Sequence, residues 1–230
     1  MLRRQLTNTL RSTHQRNYQI FQKYSSSIST SNGGADDLIL QTRLPPNNNI
    51  TKITLNRTSA ANAINREMLS QFNTIVDELH NQTAKETPLC VVIESASTKV
   101  FCAGADLKER AGMTQGETGE FVKLLRDSMT RLSRLPMPVI AAIEGAAFGG
   151  GLELALAADL RVAGSNAKFG LTETSLAIIP GAGGTQRLPR LIGVSKAKEM
   201  IFTAKRLSAQ DAREFGLVEY CVDEGQALGK

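Results

Sequence analysis

The stretch VIAAIEGAAFGGGLELALAADLRVAG, Val139 to Gly164, decides how this chain folds. Its two ends, VIAAIEG and LRVAG, are short apolar runs of the kind that form buried strands. Between them a glycine-led segment reads as a helix, and strand, helix, strand is the unit from which α/β folds are assembled. Within that helix GLELALAA, Gly151 to Ala158, is apolar all round apart from Glu153. A helix of that kind is normally buried. Glu153 is therefore expected in low dielectric, where a carboxyl group holds its proton more tightly and becomes a candidate general acid or base.

The three glycines Gly149, Gly150 and Gly151 let backbone approach a ligand closely. They also open a helix whose first N–H groups are unpaired and point outward, an anion-stabilising end. A nucleotide-phosphate loop is the rival reading. Neither this run nor PGAGGTQ, Pro180 to Gln186, completes G-x-G-x-x-G, and no G-K-[ST] follows.

Working outward, NITKITLN (Asn49 to Asn56) alternates like a strand, and LCVVIES (Leu89 to Ser95) reads as a buried one. REMLSQFNTIVDELHN places Met68, Leu69, Phe72, Ile75, Val76 and Leu79 on one helical face. A loop is expected over KVFCAGADLKER, Lys99 to Arg110. A second amphipathic helix is expected over 117–135, with Phe121, Leu124, Leu125 and Leu132 inward, ended by Pro136 and Pro138. Strand and helix alternate throughout.

Composition narrows the chemistry. The 230 residues are 41% apolar, enough for one domain with a sizeable core. All of the net charge of +5 sits in residues 1–35, which contain Arg3, Arg4, Arg11, Arg16 and Lys23 and no acid, leaving 22 basic against 22 acidic residues. That Arg-rich, Ser/Thr-rich leader, with Leu2, Leu6 and Leu10 on one helical face, reads as a disordered mitochondrial transit peptide, with the mitochondrial matrix as destination and the folded domain spanning 36–230. No run approaches the length of a membrane span. Cys90, Cys102 and Cys221 form no C-x-x-C pair, which argues against a zinc ribbon or disulfide framework. With only His14 and His80, a Ser-His-Asp triad or a histidine-based metal site has almost no material. No metal or separate cofactor is expected; carboxylates and backbone amides must carry any catalysis. Nucleic-acid binding is disfavoured too. Arg66 to Lys85 sets Arg66 and Lys85 against Glu67, Asp77 and Glu78, whereas phosphate neutralisation needs clustered cations.

Three stretches together carry a family resemblance: FCAGADLKER (Phe101 to Arg110), AAIEGAAFGGGLELALAADLRVA (Ala141 to Ala163) and FGLTETSLAIIPGAGGTQRLPRLIG (Phe169 to Gly193). From about Leu38 to Val222 the chain resembles the enoyl-CoA hydratase, or crotonase, family, with wording most similar to its mitochondrial methylglutaconyl-CoA hydratases. The resemblance implies an α/β fold built as a spiral of repeated ββα units. Family members continue into further helices that complete the acyl pocket and a trimer, so a chain ending at Lys230 is expected to lack most of that C-terminal helical part, and a homo-trimer or hexamer is expected where those helices are present.

The resemblance also implies a reaction, hydration of the 2,3 double bond of an acyl-CoA thioester, with Glu153 activating the water and Glu173 supplying the proton. Backbone N–H groups of Ala105 and Gly150 would form the oxyanion hole, and Ala63, Ala103, Asp106, Leu107, Lys108 and Gly181 match positions that contact substrate or CoA, Lys108 near phosphate. Alternatives are a binding or assembly protein without activity, an isomerase, which would typically keep one of the two carboxylates, and an AU-rich RNA binder.

Overall fold

The computed structural model describes residues 37–44, 48–84 and 86–229; the expected leader, residues 1–35, lies outside the described residues. The chain begins with an antiparallel pair, β1 (Ile39–Leu44) and β2 (Ile50–Leu55), whose Ile53 and Leu55 point into the core. Helix α1 (Arg66–Asn81) follows, and all six residues of its expected apolar face are buried. The Asn65 side chain caps it by accepting from the Met68 N–H.

Three ββα units come next. β3 (Cys90–Ser95) and β4 (Val100–Cys102) lead into α2 (Leu107–Ala111) and α3 (Gln115–Leu132). β5 (Val139–Ile143) and β6 (Ala146–Phe148) lead into α4 (Gly150–Ala157). β7 (Leu160–Gly164) and β8 (Lys168–Gly170) lead into a 3₁₀ turn (Glu173–Leu176), α5 (Gly184–Ile192) and α6 (Val194–Phe202). β9 (Leu207–Ser208), α7 (Ala209–Phe215) and β10 (Tyr220–Val222) follow.

The repeat explains the topology. The first strand of every unit adds to a six-stranded sheet ordered β1-β2-β3-β5-β7-β10, and the second adds to a four-stranded sheet ordered β4-β6-β8-β9. Pairing is parallel from β2 through β10 and from β4 through β8, as successive units laid down in one direction require. The spiral of ββα units that the resemblance implied is thus the observed architecture.

α4 is its pivot. Every residue of this helix is buried, and it packs against α3, α5, β4 and β6. Its C-terminal carbonyls are gathered by Arg161 of β7, which is itself buried. The guanidinium donates to Ala158 O at 2.9 Å, Ala155 O at 3.4 Å and Leu217 O at 2.9 Å, and pairs with Glu219. A buried guanidinium is tolerated because its donors are matched by acceptors.

Two sequence expectations need correction. Lys99 to Arg110 is not all loop: it contains β4 and most of α2, both too short for a periodic signal to register. The second amphipathic helix starts at Gln115, where Thr114 and Glu117 form a capping box, and ends at Leu132. Its inward stripe is Phe121, Leu125, Ser128, Met129 and Leu132; Leu124 lies on the flank of that stripe and is 47% exposed. No helix among the described residues is long and apolar enough to cross a membrane.

Candidate active site

A cavity of about 530 Å³ opens where α4 begins. Gly149, Gly150 and Glu153 supply its floor, the loop Ala103–Ala105 with Leu107 one wall, α3 a second, and the segment from Thr172 to Ala182 a third. The expectation that the glycine-led helix end lies exposed is corrected in one respect: Gly150 is buried and lines the cavity.

Each of the three glycines has its own reason. Gly149 adopts φ +51°, closed to most L side chains, at the turn from β6 into α4. Gly150 lies against the Gly104–Ala105 backbone: a Cβ there would come 3.5 Å from the Ala105 nitrogen. At Gly151 a Cβ would sit 2.1 Å from the Cys102 carbonyl oxygen, so only glycine lets α4 lie so close to β4.

Ala105 forms an isolated parallel bridge with Ile64. The bridge bonds use the Gly104 carbonyl, accepting from Ile64 N–H at 2.7 Å, and the Asp106 N–H, donating to the Ile64 carbonyl at 2.9 Å. Alternation along an extended segment turns the intervening Ala105 N–H to the opposite side, toward Gly150. Two backbone donors, Ala105 and Gly150, thereby share one edge of the cavity.

Glu153 is 2% exposed. Its Oε1 accepts from Ala182 N–H at 2.8 Å and from Gly184 N–H at 2.7 Å, at the N-terminal end of α5. The Arg187 guanidinium stands behind that loop, donating to Ala182 O at 2.9 Å and to Thr130 Oγ1 at 3.3 Å. Burial pushes the Glu153 carboxyl above the usual range, opposed by these amides and by the Arg187 charge.

Glu173, 9% exposed at the start of the 3₁₀ turn, faces the same cavity. A Cβ on Gly149 would lie 3.4 Å from its Oε1, and its buried Oε2 has no hydrogen-bond partner. Burial, reinforced by the charge of Glu153, pushes its carboxyl up to about 7. The two carboxyls are thus differentiated by surroundings. Glu153 has preplaced donors that favour the anion, and Glu173 has none on its inner oxygen and holds a proton near neutrality.

Of the remaining residues singled out from the sequence, Ala103, Leu107 and Gly181 line the cavity. Ala63, Asp106 and Lys108 do not. Asp106 caps α2, accepting from the N–H groups of Lys108 and Glu109, and pairs with Arg57 at 2.7 Å; Arg57 also donates to the Ala63 carbonyl. This brace holds the loop Ala103–Asp106 in place, and the Arg57 hydrogen bond keeps the Asp106 carboxyl below its ordinary range. Lys108 is exposed beside it. Sequence reading missed the Ala182–Gly184 amides and Arg187. The run PGAGGTQ was weighed there as an incomplete phosphate loop, and its amides in fact receive a carboxylate of the chain itself.

Comparison with known proteins identifies the family and the fold. The profile described as enoyl-CoA hydratase/isomerase matches residues 46–230. The chain is 46% identical over 203 residues to mouse mitochondrial methylglutaconyl-CoA hydratase, covering 88% of this chain and 62% of that protein. It is 47% identical over 194 residues to mouse mitochondrial enoyl-CoA hydratase domain-containing protein 2, covering 83% and 64% respectively. It thus spans less than two thirds of either relative. Among solved structures, a crystal structure of enoyl-CoA hydratase from Bacillus anthracis superposes with a TM-score of 0.79 at 47% identity, over 84% of this chain and 72% of that one.

Proposed function

Because this chain belongs to the enoyl-CoA hydratase/isomerase family, we propose that it adds water across the 2,3 double bond of an acyl-CoA thioester, with 3-methylglutaconyl-CoA or a short-chain enoyl-CoA as substrate. The observation that carries the reading is the convergence of two buried carboxyls and two backbone donors on one cavity.

In this reading the thioester oxygen lies against the N–H groups of Ala105 and Gly150. A water held between the carboxyls loses a proton to Glu153 as its oxygen bonds to Cβ, and the π electrons move toward the thioester to give an enolate-like oxygen. Each donor aimed at that developing charge contributes about 3 kcal/mol of transition-state stabilisation. Glu173 then gives its proton to Cα, and the net change is addition of one water. The two elevated carboxyls suit these roles, since general acids and bases work best with pKa values near the operating pH. The presence of both carboxylates favours hydration over isomerisation.

Assembly as a trimer or hexamer and residence in the mitochondrial matrix belong to the same proposal. The mouse relatives named above are described as mitochondrial, and the basic leader fits import. A hydration assay on the purified chain, comparing crotonyl-CoA with 3-methylglutaconyl-CoA, tests the reading. Turnover of either supports it, and turnover of neither by folded protein overturns it.

A further inference from the structure

Asn62 carries two irregularities at once. It is wholly buried with φ +52°, directly after Ala61 at the same angle, in the left-handed region that L side chains seldom enter and asparagine enters more readily than most. Its amide nitrogen donates to Ser95 Oγ at 2.8 Å and to the Phe101 carbonyl at 2.9 Å. The Ser95 hydroxyl gives its one proton to the Val100 carbonyl at 2.7 Å, so both neighbours of the amide are acceptors and its NH2 end must face them. Oδ1 is left buried with no hydrogen-bond partner. A left-handed backbone and an orphaned oxygen both cost stability, and such costs collect where a neighbouring site needs them.

The neighbouring site is the loop that bears Ala105. β4 pairs with β6, and the segment Ala61–Ile64 binds both β4 and the loop that continues it. Ala61 O accepts from Ala103 N–H at 3.0 Å, Ile64 N–H donates to Gly104 O at 2.7 Å, and Ile64 O accepts from Asp106 N–H at 2.9 Å. The Asn62 side chain supplies the first rung of this ladder, at Phe101, where a partner strand would have offered a main-chain N–H. A short ring closes: from Asn62 through its amide to Phe101, along the chain to Gly104, across to Ile64 and back through Ala63. Ala105 is the next residue past Gly104, so its N–H hangs from that ring. The Asn62 main chain is tied as well, its N–H donating to Arg57 O at 2.9 Å and its carbonyl accepting from Cys102 Sγ at 3.1 Å. Asn62 does not line the cavity, so anything it contributes to chemistry passes through the loop.

We propose that Asn62 is a positioning residue, whose side-chain amide sets where the Ala105 N–H stands relative to the Gly150 N–H. The proposal rests on the reading of those two N–H groups as donors to a thioester oxygen, and deepens it by naming what fixes their separation. A hydrogen bond weakens steeply as its donor leaves alignment. A donor aimed at charge that develops only in the transition state is felt in kcat rather than in ground-state binding.

A conjugated aryl enoyl-CoA, whose absorption moves to the red when its thioester oxygen accepts hydrogen bonds, reports on the donors directly. The variants are Asn62→Gly, which keeps the left-handed backbone without strain and removes the amide, and Asn62→Asp, equal in size without the NH2 group. In both, confirmed folded by circular dichroism, the red shift of the bound probe should fall to about half of the wild-type value or less, and kcat for hydration should fall at least about tenfold, part of the roughly 100-fold or more that complete loss of one such donor costs. Affinity for the saturated butanoyl-CoA, measured by calorimetry, should stay near that of wild type. Hydrogen exchange of the unliganded variants should quicken over residues 101–106 and stay unchanged elsewhere. A full red shift with wild-type kcat in the folded variants overturns the proposal. So does a loss of red shift matched by an equal loss of butanoyl-CoA affinity, which would mark a general loosening of the cavity. A wild-type chain that binds the probe with no red shift overturns the reading of the two donors itself, and the proposal with it.

Discussion

Glu153 Oε1 lies 2.7 Å from the Gly184 nitrogen at the first turn of α5. A carboxylate carried by one helix is thereby held at the N-terminus of the next, where unpaired N–H groups and the helix dipole both favour the anion. Glu173 has no such support on its inner oxygen.

Removing either carboxylate should therefore abolish most turnover. Glu153→Gln and Glu173→Gln are each expected to lower kcat for hydration by at least about 100-fold, the lower range of general acid–base catalysis. Binding of a saturated acyl-CoA should be largely kept. Steady-state kinetics with parallel calorimetry check both halves, and near-normal turnover in either variant refutes the assigned roles.

Protonation of Glu173 also makes a pH prediction. Because its carboxyl is pushed up to about 7, kcat/KM should fall as pH rises through that value and the proton donor is lost. Stability should move the same way. Between the ordinary glutamate value and about 7 the folded chain keeps a proton that the unfolded chain has released, so stability is lost as pH rises across that window, at up to about 1.4 kcal/mol per pH unit. Urea denaturation from pH 5 to pH 8 should show a shallower decline for Glu173→Gln than for wild type. Equal slopes would mean that Glu173 ionises as an ordinary surface glutamate does.

Arg187 acts on Glu153 through the Ala182–Gly184 loop and through its own charge. In Arg187→Gln the Glu153 carboxyl should be displaced further upward, moving the acidic limb of the kcat/KM profile to higher pH. A fall in stability with an unmoved acidic limb would show that Arg187 serves packing only.

At Gly151 an added methyl meets the Cys102 carbonyl, a backbone atom that cannot rotate away. Gly151→Ala should cost about 3 kcal/mol of stability or more, at the upper end of overpacking penalties. An alanine variant with the wild-type denaturation midpoint would contradict the close approach of α4 to β4.

Cys102 is wholly buried, and burial pushes its thiol up to about 12. Alkylation of the native chain at pH 8 should modify the half-buried Cys221 and spare Cys102 until denaturant is added, since the thiolate is the reactive form. Peptide mass mapping reads this directly; rapid native modification of Cys102 would show that the wall between β4 and α4 opens readily.

Much of this was readable in the residues. The face of α1 followed from a period that tertiary packing had no reason to override, and the isolation of Glu153 among apolar neighbours signalled its burial. The short strands β4, β6 and β8 were not legible, because three residues give no alternation to detect and their pairing partners are far along the chain. The Glu153 clamp escaped for a related reason: it is made of main-chain N–H groups, which every sequence carries alike. Leu124 was misplaced because membership of a helical stripe depends on where the stripe is centred, and only packing against neighbouring elements fixes that.

Arg161 gives the fold an order in time. Its guanidinium joins the last turn of α4 to Leu217 and Glu219, residues that leave the ribosome more than fifty positions later. Until they arrive, a cation destined for the interior has no anionic partner, and an uncompensated buried charge costs several kcal/mol. A nascent chain ending before Leu217 must therefore keep Arg161 hydrated and the end of α4 unlatched. The contacts that fasten the end of the helix carrying Glu153 are complete only once the chain through Glu219 has been made.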